Sequence, residues 1–283
     1  MKRNTILMGA VAFAPAAVTI WDGFKAWFNK NGLPFEYILY CNYDRQISEL
    51  LLGHIDAAWN DPLSWVRARR MAEAEGKKLQ PLVMRDIDFD LTSVVTVRAD
   101  SQYQTLADLK GATIAVGSPD SVESTLLPVL ALQQAGLFAG RDFKLFVCES
   151  SLGYHGGKQQ GEVSAAKAMV EGKADAAGLA ETNYQLFVKN GTIPPGVTRV
   201  LDHTPKYDHC NLTYYDSPNS APTELIERMR ELFLKMPYDD PELRPFMDLE
   251  WVKQWMPARM THYKTIEDAL DMAPSPESAF EKV

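Results

Sequence analysis

The chain has 283 residues, 46% apolar and 23% charged, which is the balance of a globular protein with a real core. Its formal net charge of -8, with no basic block, argues against nucleic-acid binding, because phosphate contacts need clustered Lys and Arg. The richest basic stretch, Arg67 to Lys78, is broken by Glu73 and Glu75 and reads as a solvated helix face.

Residues 6–11 read as a first strand. They lie in a segment that imitates a secretion leader, with Lys2-Arg3 ahead and Ala12-Phe13-Ala14 as a cleavage-like site. The leader reading is rejected, because cleavage there would delete a strand and its loop. Trp21–Lys30 is an amphipathic helix stopped by Asn31-Gly32 and Pro34. Phe35–Cys41 is a strand, and Asp44 stands where the cap of the next helix belongs. Ile55–Trp59 is a short strand followed by a helix from Ser64 to Glu75. Ser93–Ala99 and Thr113–Val116 are strands, and Ser124–Ala135 is a helix. Lys144–Val147 is a strand, Ser164–Glu171 and Glu181–Lys189 are helices, and Arg199–Leu201 is a returning strand. Thr223–Lys235 is a last long helix, capped by Thr223. The tail after Pro274 is expected to pack poorly. Alternating elements of this kind predict an α/β fold with mostly parallel sheets covered by helices.

One unit recurs. Leu50-Leu51-Leu52-Gly53-His54-Ile55-Asp56-Ala57-Ala58 matches Met169-Val170-Glu171-Gly172-Lys173-Ala174-Asp175-Ala176-Ala177 in pattern: helix, Gly, one residue, apolar residue, Asp-Ala-Ala. Two copies predict two lobes on similar βαβ plans. None of Cys41, Cys148 and Cys210 forms a C-x-x-C pair, and Cys41 and Cys148 read as small buried apolar residues.

Several segments together resemble the phosphate/phosphonate-type solute-binding proteins of ABC transporters. They are G-H-I-D-A-A-W-N-D-P-L-S-W-V at 53–66, S-Q-Y-Q-T-L-A-D-L-K-G-A-T-I-A-V-G-S-P-D-S at 101–121, Pro128 and Q-Q-A-G-L at 133–137. The likeness covers about residues 5 to 235. It implies the type II periplasmic-binding-protein fold, with lobe two (97–203) inserted into lobe one (1–96 plus 204–283) and a two-strand hinge between them. It also implies a ligand held at strand carboxyl ends and helix N-termini.

Four loops are then expected to line a cleft. The first contains Pro15. The second runs from Trp59 to Trp65, where Asn60, Asp61 and Trp65 are the site candidates and Trp59 reads as core. The third runs from Ser118 to Thr125. Ser118 is a candidate in that loop, and Ser121, Ser124 and Thr125 open a helix whose amides attract anions; Ser121 either caps that helix, holds the ligand, or both. The family's Ser-x-Ser-Gly pattern here becomes Ser121-Val122-Glu123-Ser124, so Glu123 either faces the ligand or points outward as a first-turn acid. The fourth loop carries Tyr154, His155 and Glu162, with Glu181 beside it, and its His-Asp pair is replaced by His155-Gly156. The three acids Asp61, Glu123 and Glu162 keep a zwitterionic or cationic solute open as an alternative.

Asp202-His203 and Asp208-His209-Cys210 offer metal-ligand types, but strand alternation points adjacent residues to opposite faces, so no metal is expected. There is no H-E-x-x-H, phosphate-loop or G-x-S-x-G motif, and no catalytic residue or cofactor is assigned. The expected function is a monomeric binding protein for a small phosphate- or phosphonate-like anion, partnered by ABC transporter membrane subunits. A cytosolic lyase, decarboxylase or sensor on the same fold is the alternative. Location follows the leader: periplasmic if one was removed, cytoplasmic as the sequence stands.

Overall fold

The computed structural model describes residues 4–148 and 158–272. They form two units: the described residues up to Phe89 with Asp208–Thr261, and Asp90–Tyr207 with the described residues from His262 on. These divisions fall outside the expected 97–203 boundaries. Residues 262–272, expected in lobe one, group with the second unit, so the chain passes between units three times rather than twice.

The first unit is built on a six-stranded sheet in the order β11-β4-β10-β3-β1-β2. Its strands are β1 (Ile6–Val11), β2 (Phe35–Tyr40), β3 (Ala57–Asn60), β4 (Leu79–Arg85), β10 (Asn211–Tyr215) and β11 (Trp255–Pro257). β1 pairs in parallel with both β2 and β3, while β10 runs antiparallel between β3 and β4. The leader-like apolar run is thus an inner strand. Helices α1 (Ala16–Lys30), α2 (Tyr43–Leu51), α3 (Pro62–Ala74), α7 (Thr223–Leu234) and α8 (Arg244–Leu249) belong to this unit. Its core is an aromatic cluster: Trp255 meets Phe24, Trp59 and Phe233 edge-on, with centroids 6.0, 5.4 and 4.7 Å away. Edge-to-face pairs of this kind add to the burial energy. Trp59 is therefore core.

The second unit has a five-stranded sheet in the order β7-β6-β8-β5-β9. The strands are β5 (Ser93–Arg98), β6 (Thr113–Val116), β7 (Lys144–Val147), β8 (Ala176–Ala180) and β9 (Thr198–His203). β6 pairs in parallel with β7 and β8, and β5 is antiparallel to β8 and β9. Helices α4 (Leu127–Gln134), α5 (Lys158–Val170), α6 (Glu181–Lys189) and α9 (Lys264–Met272) belong with it. The two sheets share a plan. Four strands of six in one, and four of five in the other, point the same way once each antiparallel pairing is followed through.

The repeated motif explains that likeness. Gly53 and Gly172 end their helices at φ 71° and 74°, the left-handed region that glycine enters without strain. The Asp that follows then clasps the neighbouring parallel strand twice. Asp56 N–H donates to Leu7 O at 2.8 Å, and its Oδ2 accepts from Leu7 N at 2.7 Å. Asp175 does the same to Thr113, at 2.8 Å in both directions. Asp56 Oδ1 accepts a third bond, from Ala221 N at 2.8 Å.

Local expectations differ in places. The cap of α2 is Asn42, whose Oδ1 accepts from Arg45 N at 2.8 Å, and Asp44 is a first-turn acid. Thr223 begins α7 behind Pro222 and makes no side-chain cap. Cys41, expected inside, is exposed, because β2 ends just before it at the sheet's edge. The helix expected from Ser124 starts earlier as a π-helical turn, Val122–Leu126, and continues as α4.

Candidate functional site

In the first unit, the expected residues gather where β1 and β3 end. Pro15 is exposed and stands just before α1. Asp61 caps α3 with Pro62 at its first position, and its Oδ1 accepts from Ser64 N at 2.7 Å. Asn60 is fully buried in a polar relay. Gln46 Nε2 donates to Asn60 Oδ1 at 2.9 Å, Asn60 Nδ2 to Thr213 Oγ1 at 2.9 Å, and Thr213 Oγ1 to Asn211 Oδ1 at 2.7 Å. Its amide thereby stitches β3 to β10 and α2. Trp65, in the second turn of α3, has no solvent exposure.

The same unit holds a buried charge network that the sequence did not reveal. Arg85, at the end of β4, grips Asp88 with two bonds, Nε to Oδ2 at 2.8 Å and Nη2 to Oδ1 at 2.7 Å. Its Nη1 reaches Glu250 Oε1 at 3.2 Å and Glu250 O at 3.0 Å. The guanidinium also lies 5.5 Å from the Trp59 ring centre. His209 Nδ1 stands 3.4 Å from Asp88 Oδ1 and 3.0 Å from Cys210 Sγ. Burial alone would raise Asp88, but Arg85 and His209 outweigh it and hold the carboxyl at about 2. For Glu250 burial wins over Arg85, and Asp88 adds to it, taking the carboxyl up to about 7. Burial also raises the Cys210 thiol against the pull of His209. Tyr43, at the start of α2, is raised well above its ordinary range by burial and by the charge of Asp61.

Asp88, His209 and Cys210 are thus brought together, as neighbouring ligand types can be, while Asp202 and His203 stay apart on β9 in the other unit. With both Asp88 oxygens on Arg85 and the thiol favoured over the thiolate, the chemistry is that of a salt-bridge network.

In the second unit the residues 118–125 follow β6. Ser121 precedes the π-helical turn, and its Oγ accepts from Ser124 N at 3.2 Å and from Ser124 Oγ at 2.8 Å. Ser121 Oγ in turn donates to Glu123 Oε2 at 2.9 Å. Glu123 is 7% exposed, so the outward-pointing alternative is excluded. Thr125 Oγ1 donates to Ser118 O at 2.8 Å and closes the turn. The Ser118 hydroxyl is 8% exposed at the residue level and has no hydrogen-bond partner among the described residues. Gly117 lets this turn come close: a Cβ there would lie 2.2 Å from Ser124 Oγ.

Glu162 is buried and already engaged. Its Oε2 accepts from Ala180 N at 2.9 Å and its Oε1 from Asn183 Nδ2 at 3.1 Å, which fixes the turn from β8 into α6. Glu181 binds Thr92 Oγ1, and its Oε1 lies 3.6 Å from His203 Nε2. Tyr154 and His155 lie outside the described residues.

Two α/β units of shared plan, with polar turns at the carboxyl ends of their parallel strands, define the type II periplasmic-binding class of fold. Residues 11–263 match the profile of the ABC transporter phosphonate periplasmic substrate-binding proteins, and the chain belongs to that family. It is 23% identical over 241 residues to a probable ABC transporter phosphite-binding protein of Prochlorococcus marinus, covering 82% of this chain and 76% of that one. A solved structure of PhnD1 from the same organism, in complex with methylphosphonate, superposes with TM-score 0.67 at 21% identity, over 94% of this chain and 97% of that one. XAC2383 of Xanthomonas citri, bound to ATP, superposes with TM-score 0.69 at 18% identity, over 95% and 96%. Among the described residues no helix is long and apolar enough to cross a membrane.

Proposed function

We propose that this chain is a periplasmic receptor for a small oxyanion of the phosphonate or phosphite kind, which it hands to the membrane subunits of an ABC transporter. In this reading the two units act as lobes, and the protein works as a monomer. The supporting observation is the Ser118 hydroxyl, buried and without a hydrogen-bond partner among the described residues, in the turn that leads into the helical run 122–134. A buried donor left unpaired costs stability unless a ligand meets it. The helix N-terminus behind it favours negative charge. Pro15, Asn60, Asp61 and Trp65 are the proposed contributions of the first unit, and Ser118, Ser121, Glu123, Ser124, Thr125, Tyr154, His155, Glu162 and Glu181 those of the second. Of these, Asn60 and Glu162 already hold the frame together, and Trp65, Ser121 and Ser124 have no solvent exposure in the free chain.

The test is a thermal-shift panel of phosphite, methylphosphonate, phosphate, methanesulfonate, amines and amino acids. A ligand at 100 times its Kd stabilises the folded form by about 2.7 kcal/mol, which is a shift of roughly 5 °C. A shift from phosphite or methylphosphonate is expected. A shift from amines alone would refute the anion reading, and consumption of the solute would refute a purely binding role.

A further inference from the structure

Resting on the oxyanion reading above, we propose that the ligand carries a hydrocarbon substituent on its phosphorus, and that the loop from β1 into α1 selects it through Phe13 and Pro15. From Ile6 to Val18 the chain has no polar side chain. Much of that run is buried in β1 and α1, but Ala12, Phe13, Pro15 and Val18 are exposed, Phe13 by 37%. Turns at strand ends are ordinarily polar, because water meets them. A contiguous apolar turn marks a contact surface, as a lone exposed Leu does not. Register places this turn. Met8 and Gly9 stand beside Ala57 and Ala58, so continuing the pairing brings Val11 and Ala12 level with Asn60 and Asp61. On the other side Val11 pairs with Tyr40, and Ala12 N–H donates to Tyr40 O at 2.9 Å. The loop therefore lies at the carboxyl ends of three parallel strands, the end at which α/β sheets hold ligands.

What the loop offers there is apolar contact. Pro15 has no N–H. Phe13 N–H donates to Val11 O at 2.8 Å, and Ala17 N–H to Ala14 O at 3.0 Å. No side chain caps α1. The turn from Ser118 to Thr125, by contrast, carries four hydroxyls. The charged side chains on the elements around the loop are engaged elsewhere. Asp22 of α1 accepts from Tyr37 Oη at 2.7 Å, Asp44 lies 3.7 Å from Arg67, and Arg45 lies 2.6 Å from Glu49. Asp61 accepts from Ser64 N at 2.7 Å. The loop thus presents hydrocarbon, rather than charge, to a ligand. The chemistry that matches it is an alkyl or aryl group on a phosphonate. Inorganic phosphite and phosphate have no such group, and a chain ending in an ammonium would lose its hydration against Phe13 and Pro15.

The experiment is calorimetry of the full chain with phosphite, methylphosphonate, ethylphosphonate, propylphosphonate and 2-aminoethylphosphonate at one pH. Affinity is expected to rise about threefold with each methylene from methyl to propyl, as the burial of a CH2 group gives. Propylphosphonate is therefore expected to bind about tenfold more tightly than methylphosphonate, and about tenfold or more above 2-aminoethylphosphonate, which matches it in length but ends in a charge. An affinity that stays flat or falls from methyl to propyl overturns the proposal, and so does 2-aminoethylphosphonate binding as tightly as propylphosphonate. Phe13→Ser tests the assignment to this loop. It is expected to cut the propyl-to-methyl ratio from about ten to about three. A ratio that the variant leaves unchanged overturns the role of Phe13. Absence of binding by phosphite and every phosphonate would instead refute the oxyanion reading on which the proposal rests.

Discussion

Replacing Glu250 by Gln should abolish a specific pH dependence of stability in the first unit. Glu250 is buried, and its carboxyl is raised from 4.5 to about 7 by burial, with Arg85 offsetting part of that and Asp88 adding to it. A folded pKa above the unfolded one means that the folded state holds the proton more tightly. The benefit is complete below about 4.5 and is lost as pH rises through 7. The rise corresponds to roughly 3 kcal/mol. With a urea slope of about 3 kcal/mol/M for a chain of this size, the midpoint should fall by roughly 1 M between pH 5 and pH 8. Gln keeps an acceptor for Arg85 and carries no charge, so Glu250→Gln should show little of that fall and should be the more stable protein at pH 8. All six tryptophans, Trp21, Trp27, Trp59, Trp65, Trp251 and Trp255, lie in the first unit, so their fluorescence reads its unfolding alone. A variant that loses as much stability as the wild type between pH 5 and 8, or unfolds earlier than it at pH 8, would contradict this role of Glu250.

Arg85→Met should destabilise the same unit by about 3–5 kcal/mol, because it strands the buried carboxylates of Asp88 and Glu250; urea unfolding at pH 7 measures it. Ser118→Ala should weaken methylphosphonate binding about tenfold or more while raising the melting temperature of the free protein, since it removes a buried hydroxyl that has no partner there among the described residues. Calorimetry and thermal melting separate the two effects. Asp56→Ala strands two backbone donors and should cost roughly 2–4 kcal/mol, whereas Asp175→Ala strands one and should cost about half as much. Equal costs in urea unfolding would contradict the proposed clasp.

The plan of the fold was legible because its signals are local. Gly53 and Gly172 stop helices by their backbone freedom, and the alternation of apolar runs marks the parallel strands. The clasp made by Asp56 and Asp175 explains why that motif occurs twice. β4 and β10 escaped notice because Pro81 interrupts one run and polar Asn211 and Thr213 dilute the other. Their partners are also remote in sequence, so nothing local announces the pairing. The turn from Ser118 to Thr125 was legible as a pattern of Ser and Thr before a helix. The fate of Glu123 was not, because whether a first-turn acid turns inward depends on the packing of β8 and α9 against it. The Arg85 network was illegible for the same reason: Arg85, Asp88, His209 and Glu250 come from three separated stretches of chain, and only the folded sheet brings them together.

The proposed function stands on an oxyanion held at the turn from Ser118 to Thr125. Titration of nitrogen-15-labelled protein with methylphosphonate tests it most directly. The amide signals of residues 118–125 should show the largest saturable shifts, fitting a single site. Saturable binding that leaves those amides unmoved would contradict the claim.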